Sequence, residues 1–145
     1  MLIEEFDKSR HKPENIKELL SMAVGSLAPQ KLEQLVDELY MSESHTLFVG
    51  IENDQVVGVI GIDYSSSPHG FINHIAVVLD MQKQGIGSQL IKYASADLKL
   101  KSIEAETDQD AVDFYQACGF RTEEIESQYP GVRRFLCTKR LTNPE

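Results

Sequence analysis

The spacing of apolar residues changes along the chain, and each change marks a different kind of element. Leu2 to Phe6 reads as a short edge strand. Pro13 suits the first turn of a helix, where its missing N–H costs nothing. Ile16, Leu19, Leu20 and Ala23 follow at helical spacing, and Gly25 is the expected stop. A second helix is expected from about Pro29, with Leu32, Leu35, Val36 and Leu39 on one face. The period then shortens to that of strands. HTLFVGIE (45–52) and QVVGVIGID (55–63) flank Asn53-Asp54, a hairpin-type turn, and FINHIAVV (71–78) follows a polar loop at 65–70. Three successive strands imply an antiparallel meander.

The helical period returns after residue 84. Ile86, Leu90, Ile91, Ala94 and Leu98 predict a helix of about three turns. SIEAET (102–107) is a short strand. Thr107 or Asp108 is the expected cap of a helix carrying Ala111, Phe114, Tyr115 and Cys118, ended by Gly119. Phe120 opens another strand, Tyr129-Pro130-Gly131 turns the chain, and VRRFLCTK (132–139) closes the sheet. The tail TNPE is expected to fray. The order β-αα-βββ-α-β-α-ββ predicts one α/β (α+β) domain over 1–145, a mixed sheet with helices on its faces. The strand-helix-strand unit around residues 82–90 should be parallel and right-handed.

Composition narrows the function. The 145 residues are 41% apolar and 26% charged, ordinary for a soluble domain with its own core. No apolar run approaches a membrane span, and the acidic start lacks a signal-peptide layout, so a cytoplasmic protein is expected. A net charge of −9 argues against nucleic acid and suits a cationic substrate, although acidic surfaces also serve solubility alone. Cys118 and Cys137 are expected as free thiols. The four histidines fall at no metal-like spacing, so no metal site is expected.

The stretch QKQGIGSQL (82–90) is the candidate site. A Walker A loop would need Lys before the Ser or Thr that follows its second glycine, and Gly87 is followed directly by Ser88. A dinucleotide fingerprint would need a third glycine where Leu90 stands. Two readings remain. Gly85 and Gly87 permit a tight strand-to-helix turn, or they let the N–H groups of residues 83–88 cradle an anion at the helix start.

Two motifs in register favour the cradle. Gln82-x-x-Gly85-x-Gly87, after Ile75-Ala76-Val77, resembles the acetyl-CoA motif of the GNAT N-acetyltransferase superfamily. Asp108-Gln109-Asp110-Ala111, running through Phe114-Tyr115 to Gly119-Phe120, resembles its second motif. The element order is also that of the family, and the resemblance extends over nearly the whole chain. It implies that the fourth and fifth strands splay apart, and that acetyl-CoA is the cosubstrate. Pyrophosphate would lie on Gln82, Lys83, Gln84, Gly85, Ile86, Gly87 and Ser88. Pantetheine would lie along Ile75, Ala76 and Val77, near Asp108, Ala111, Phe114 and Tyr115. A backbone N–H near Ile75 would hold the oxyanion, and Tyr115 would protonate the leaving thiolate.

The acceptor implied is a primary amine of a small molecule or a protein, acetylated by direct attack; a homodimer is left open. An alkylamine attacks only when neutral, so a base is required. Phe71 stands where some relatives carry a strand-4 glutamate. Glu104, Glu106, Asp63 and His74 are the candidates, with Glu106 nearest the carboxyl end of its strand. Asp108 replaces the family's usual Asn. The alternative is a non-catalytic acyl-CoA-binding module of the same fold. Glu123, Glu124 and Glu126 form an acidic run that would attract a cationic amine, or simply face solvent.

Overall fold

The computed structural model describes residues 1–7, 9–11, 13–24 and 43–141. Seven strands form one sheet in the order β1-β2-β3-β4-β5-β7-β6. They are β1 Leu2–Glu5, β2 His45–Glu52, β3 Gln55–Asp63, β4 His69–Val77, β5 Ser102–Asp108, β6 Arg121–Ile125 and β7 Arg134–Arg140. Among the described residues the α-helices are α1 Pro13–Val24, α2 Ile86–Asp97 and α3 Val112–Ala117. The expected second helix, with Leu32, Leu35, Val36 and Leu39, and the Gly25 stop lie outside the described residues.

The meander β2-β3-β4 is antiparallel. Asn53 and Asp54 close its first hairpin with φ of 52° and 63°, the double left-handed geometry that matches strand twist in a two-residue turn. β4 and β5 are parallel, as a strand-helix-strand unit requires.

Alternation along the strands supplies two cores, one on each side of the sheet. Ile16, Leu19 and Leu20 of α1 pack with Phe6, Leu47, Val49, Val59 and Ala76. Ile86, Leu90, Ile91 and Ala94 of α2 pack on the other face with Phe48, Ile60, Ile62, Ile72, Ile103 and Tyr115. Leu90, Ala94 and Ile103 are fully buried. Truncating Leu90 or Ile103 to alanine would cost about 2–5 kcal/mol.

Several boundaries differ from the sequence expectation. β4 begins at His69, so His69 and Gly70 leave the loop and join the strand. A side chain at Gly70 would meet Leu100 at 2.5 Å, so glycine there serves close packing rather than a turn. Asp108 ends β5 and does not cap α3; the N-cap is Ala111. The Asp108 carboxylate instead accepts the N–H groups of Asp110 (3.0 Å) and Ala111 (3.1 Å), shaping the turn ahead of the helix. β6 starts at Arg121 and β7 at Arg134.

The stop at Gly119 is as expected. With φ of 89°, it donates to the Gln116 carbonyl, and Phe120 donates to that of Tyr115. This is a Schellman ending, completed by the edge-on contact of the Tyr115 and Phe120 rings at 5.3 Å.

Candidate functional site

β4 and β5 are joined by only three residue pairs, His69 with Ser102, Gly70 with Ile103 and Phe71 with Glu104. Beyond Phe71, β4 stays paired to β3 as far as Val77, and β5 stays paired to β7 as far as Asp108. The facing edges of β4 and β5 therefore part after their third pair. A bulge sits where they part. Gly61 pairs with His74 and Ile62 with Ile72, which leaves Asn73 as an extra residue on β4. A bulge bends its strand and steepens its twist, and this supplies the local reason for the divergence. Among the described residues, no strand pairs with the β5-facing edge of β4 along Ile75-Ala76-Val77.

At the far end of that edge lies the glycine loop. Val78 leads into a short 3₁₀ turn, Leu79–Met81. Gln82 then reaches back, its side-chain amide donating to the Val77 carbonyl at 3.0 Å. Lys83 and Gly85 have φ of 64° and 85°, and Gly85 is the N-cap of α2. The first backbone bond of α2 runs from Gln89 N–H to the Gly85 carbonyl at 3.0 Å. Among the described residues, the N–H groups of 83–88 donate to no backbone carbonyl. They sit at the positive end of a twelve-residue helix. No neighbour lies within 4 Å of where a Cβ at Gly85 would stand, so its surroundings are open.

The two glycines do different jobs. Gly85 supplies the left-handed turn. Gly87 supplies close approach, because a Cβ there would lie 2.7 Å from Cε1 and Cζ of Phe114. The Ile75 Cδ1 is 3.9 Å from the same point. Ile75, Gly87 and Phe114 thus meet on one side of the opening, where the starts of α2 and α3 converge.

Tyr115 is the next residue, 5% exposed. Its ring lies edge-on between Phe114 at 5.1 Å and Phe120 at 5.3 Å. Burial, and then the nearby Cys137 and Cys118 thiols, push its hydroxyl well above the usual tyrosine range. It remains a neutral O–H donor at all ordinary pH. Cys118, a free thiol at the end of α3, lies against Ser88. Burial raises its pKa, while the Ser88 hydrogen bond and the Lys139 charge partly offset that. Lys139 also donates to the Cys118 carbonyl at 2.7 Å.

On β5, Ile103, Ala105 and Thr107 are buried, and Glu104, Glu106 and Asp108 take the alternate face. Glu106 is exposed. It pairs across to Leu136, which in turn pairs with Glu123 of β6, so two carboxylates flank Leu136 on one face. Glu124 belongs to the opposite face and is bound by Arg133 at 2.9 and 3.1 Å. The acidic run seen in the sequence is therefore divided between two surfaces. His74 is half-buried, and burial lowers its pKa to about 4. Asp63 is raised by burial but lowered further by Ser65 and His45, and its carboxylate lies 3.3 Å from His45 Nε2.

The sequence motifs missed one cluster. His69 Nδ1 lies 2.6 Å from Ser102 Oγ, and its Nε2 lies 2.5 Å from Glu104 Oε1. Its members are 33 and 35 residues apart, a separation that no local pattern reveals. Among the described residues, no group of histidine, cysteine or carboxylate side chains could hold a metal ion. Nor is any helix among them long and apolar enough to cross a membrane.

Comparison with known proteins agrees with this layout. The aminoglycoside 6'-N-acetyltransferase complexed with coenzyme A superposes with a TM-score of 0.77 at 16% identity, covering 100% of both chains. The ribosomal-protein-S18-alanine N-acetyltransferase from Escherichia coli gives 0.76 at 14% identity, over 99% of this chain and 96% of that one. A GNAT family acetyltransferase from Elizabethkingia anophelis with acetyl-CoA bound gives 0.70 at 23% identity, over 97% of each. No curated protein matches in sequence. These identities establish the fold. The profile of the acetyltransferase (GNAT) domain matches residues 4–140, so the chain belongs to the GNAT acetyltransferase family.

Proposed function

We propose that this protein transfers an acetyl group from acetyl-CoA to a primary amine by direct attack. The observation that carries this reading is the junction of a β4 edge and six N–H groups at the start of α2 that have no backbone partner among the described residues. Pyrophosphate is a dianion that needs several convergent donors, and a helix start supplies them without cationic side chains. Pantetheine is an extended amide chain that needs strand-like partners, and Ile75-Ala76-Val77 has a free edge to offer. Relatives of the same fold have been crystallised with coenzyme A or acetyl-CoA, which supports the same assignment.

In this reading the residues of 82–88 hold the pyrophosphate through their backbone, and Gln82 braces the loop on Val77. Asp108 and Ala111 shape the turn beside the pantetheine, and Phe114 closes the Gly87 side. Tyr115 supplies the proton to the departing thiolate, since its hydroxyl is never ionised near neutral pH. The amine comes from the face bearing Glu104, Glu106 and Glu123, where its cation is attracted before it loses a proton. Glu106 is the base expected from the sequence, and it stands on that face.

The test is calorimetric titration with coenzyme A, followed by thiol release from acetyl-CoA over a panel of amines. The panel includes an aminoglycoside, a peptide with an N-terminal alanine and simple alkylamines. Micromolar binding with amine-dependent thiol release is expected. Binding without release above hydrolysis would leave only the binding-module reading. No binding at all would remove both.

A further inference from the structure

The paired half of the β4–β5 seam carries its own chemistry, and the argument here rests on the amine-acetylation reading above. Glu104 occupies the last pair before the strands part, opposite Phe71. It shares its face with Glu106, not with the buried Ile103 and Ala105. A carboxylate only accepts hydrogen bonds, so the 2.5 Å contact requires the proton of His69 to be on Nε2. In the neutral imidazole Nδ1 is then an acceptor, and Ser102 Oγ donates its O–H across the 2.6 Å contact. Ser102 fixes the tautomer of His69, and His69 fixes one oxygen of Glu104. The other oxygen, Oε2, is left for a proton. Glu106 is exposed and has no hydrogen-bond partner among the described residues.

We propose that Glu104 takes the proton from the acceptor amine, and that His69 and Ser102 are the residues that position it. The amine nitrogen bonds to the thioester carbonyl carbon as one N–H proton passes to Glu104 Oε2, directly or through one water. The C–S bond then breaks and the thiolate takes the proton that Tyr115 donates; the tyrosinate regains a proton from solvent as Glu104 releases its own there. The products are the N-acetylated amine and free coenzyme A. Glu106 and Glu123, either side of Leu136, attract the ammonium form ahead of this step. The surroundings make the site a defined one. Asp63, held by His45, pairs with Phe71 on the β3 side; Thr138 pairs with Glu104 on the β7 side and with Arg121 beyond it; Arg140 pairs with Ser102.

The experiment measures steady-state kinetics with acetyl-CoA and whichever amine of the panel the wild-type protein turns over fastest. Glu104→Gln should lower kcat at least 100-fold with coenzyme A affinity within twofold of wild type. His69→Ala should lower kcat about 10- to 100-fold, and added imidazole should restore at least a third of the loss on a logarithmic scale. In proton NMR, an imidazole N–H resonance displaced far downfield should be present in the wild type and absent from Glu104→Gln. Glu104→Gln turnover within twofold of wild type overturns the proposal, as does His69→Ala that binds coenzyme A normally yet ignores imidazole. Wild-type protein that binds coenzyme A but acetylates no amine overturns the acetylation reading itself, and this proposal with it.

Discussion

The seam between β4 and β5 is two different surfaces on one pair of strands. Its open half, from Ile72 and Ala105 onward, offers main chain: an unpaired strand edge, then a row of N–H groups at the start of α2. Its paired half, His69 to Phe71 against Ser102 to Glu104, offers side chains hydrogen-bonded across strands. In the proposed function, the difference follows from what each half would recognise. A long, polar cosubstrate is held by repeated backbone donors, which tolerate most side chains and demand glycine where the chain must bend or approach closely. A proton is moved by one group in one orientation, which demands particular side chains and little of the backbone.

The largest effect expected is on the open half. Gly87→Glu places a Cβ where Phe114 now packs at 2.7 Å and adds a negative charge to the loop. Coenzyme A affinity should fall at least 100-fold by calorimetry. Gly87→Ala isolates the steric part and should lose about 1–3 kcal/mol of stability in urea unfolding. If Gly87→Glu binds coenzyme A as wild type does, the loop is not the pyrophosphate site, and the contrast between the two halves collapses.

A smaller effect should separate chemistry from binding. Tyr115→Phe removes one oxygen from a ring that is otherwise packed between Phe114 and Phe120. Turnover should drop about 10- to 100-fold while coenzyme A affinity changes less than twofold. A matching loss of affinity would make Tyr115 part of the binding half alone.

His74, paired with Gly61 just past the bulge, gives a pH test of the divide. Burial lowers its pKa from 6.5 to about 4, so the unfolded chain binds a proton that the folded one refuses. The folded-state pKa is the lower of the two. Stability is therefore complete above about pH 6.5 and is lost as pH falls toward about 4. The ring is only half-buried, so the loss attributable to His74 is about 1–2 kcal/mol. His74→Gln should flatten this part of the curve in denaturant unfolding followed from pH 7 to 4.5. An unchanged acid slope in the variant would assign it to the carboxylates instead.

The smallest effect concerns the brace between the halves of the open site. Gln82→Ala removes the 3.0 Å bond to the Val77 carbonyl and should cost about 0.5–1.5 kcal/mol. Coenzyme A affinity should fall only a few-fold, because the main-chain donors remain. A loss as large as that of Gly87→Glu would mean that the Gln82 side chain itself contacts the cosubstrate.

What was legible in the sequence follows the same division. Periodicity located all seven strands and the three described helices, and the bounds of β2 and β3 agree to the residue. Local chemistry also marked the Asn53-Asp54 turn, the Gly119 ending and the glycine loop, since each depends on a few adjacent residues. Glycine is legible because it is the residue a left-handed turn or a close approach requires. Gly85 has φ of 85° and Gly87 touches Phe114, so both reasons are present in one motif.

Three features were decided only by tertiary structure. The Asn73 bulge depends on how β3 and β4 register, which no single strand encodes. Which of Glu123 and Glu124 shares the face of Glu106 depends on how β6 and β7 register. The Ser102–His69–Glu104 chain exists because a parallel pairing brings together residues more than thirty positions apart. Local pattern records what a segment needs from its own backbone: a period, a cap, a glycine. Contacts between distant side chains leave no such record, because any of many sequences can place a histidine opposite a glutamate. The sequence by itself determined the elements, their order and the glycine loop that opens α2. The sheet decided where β4 and β5 separate and which side chains meet at the point of separation.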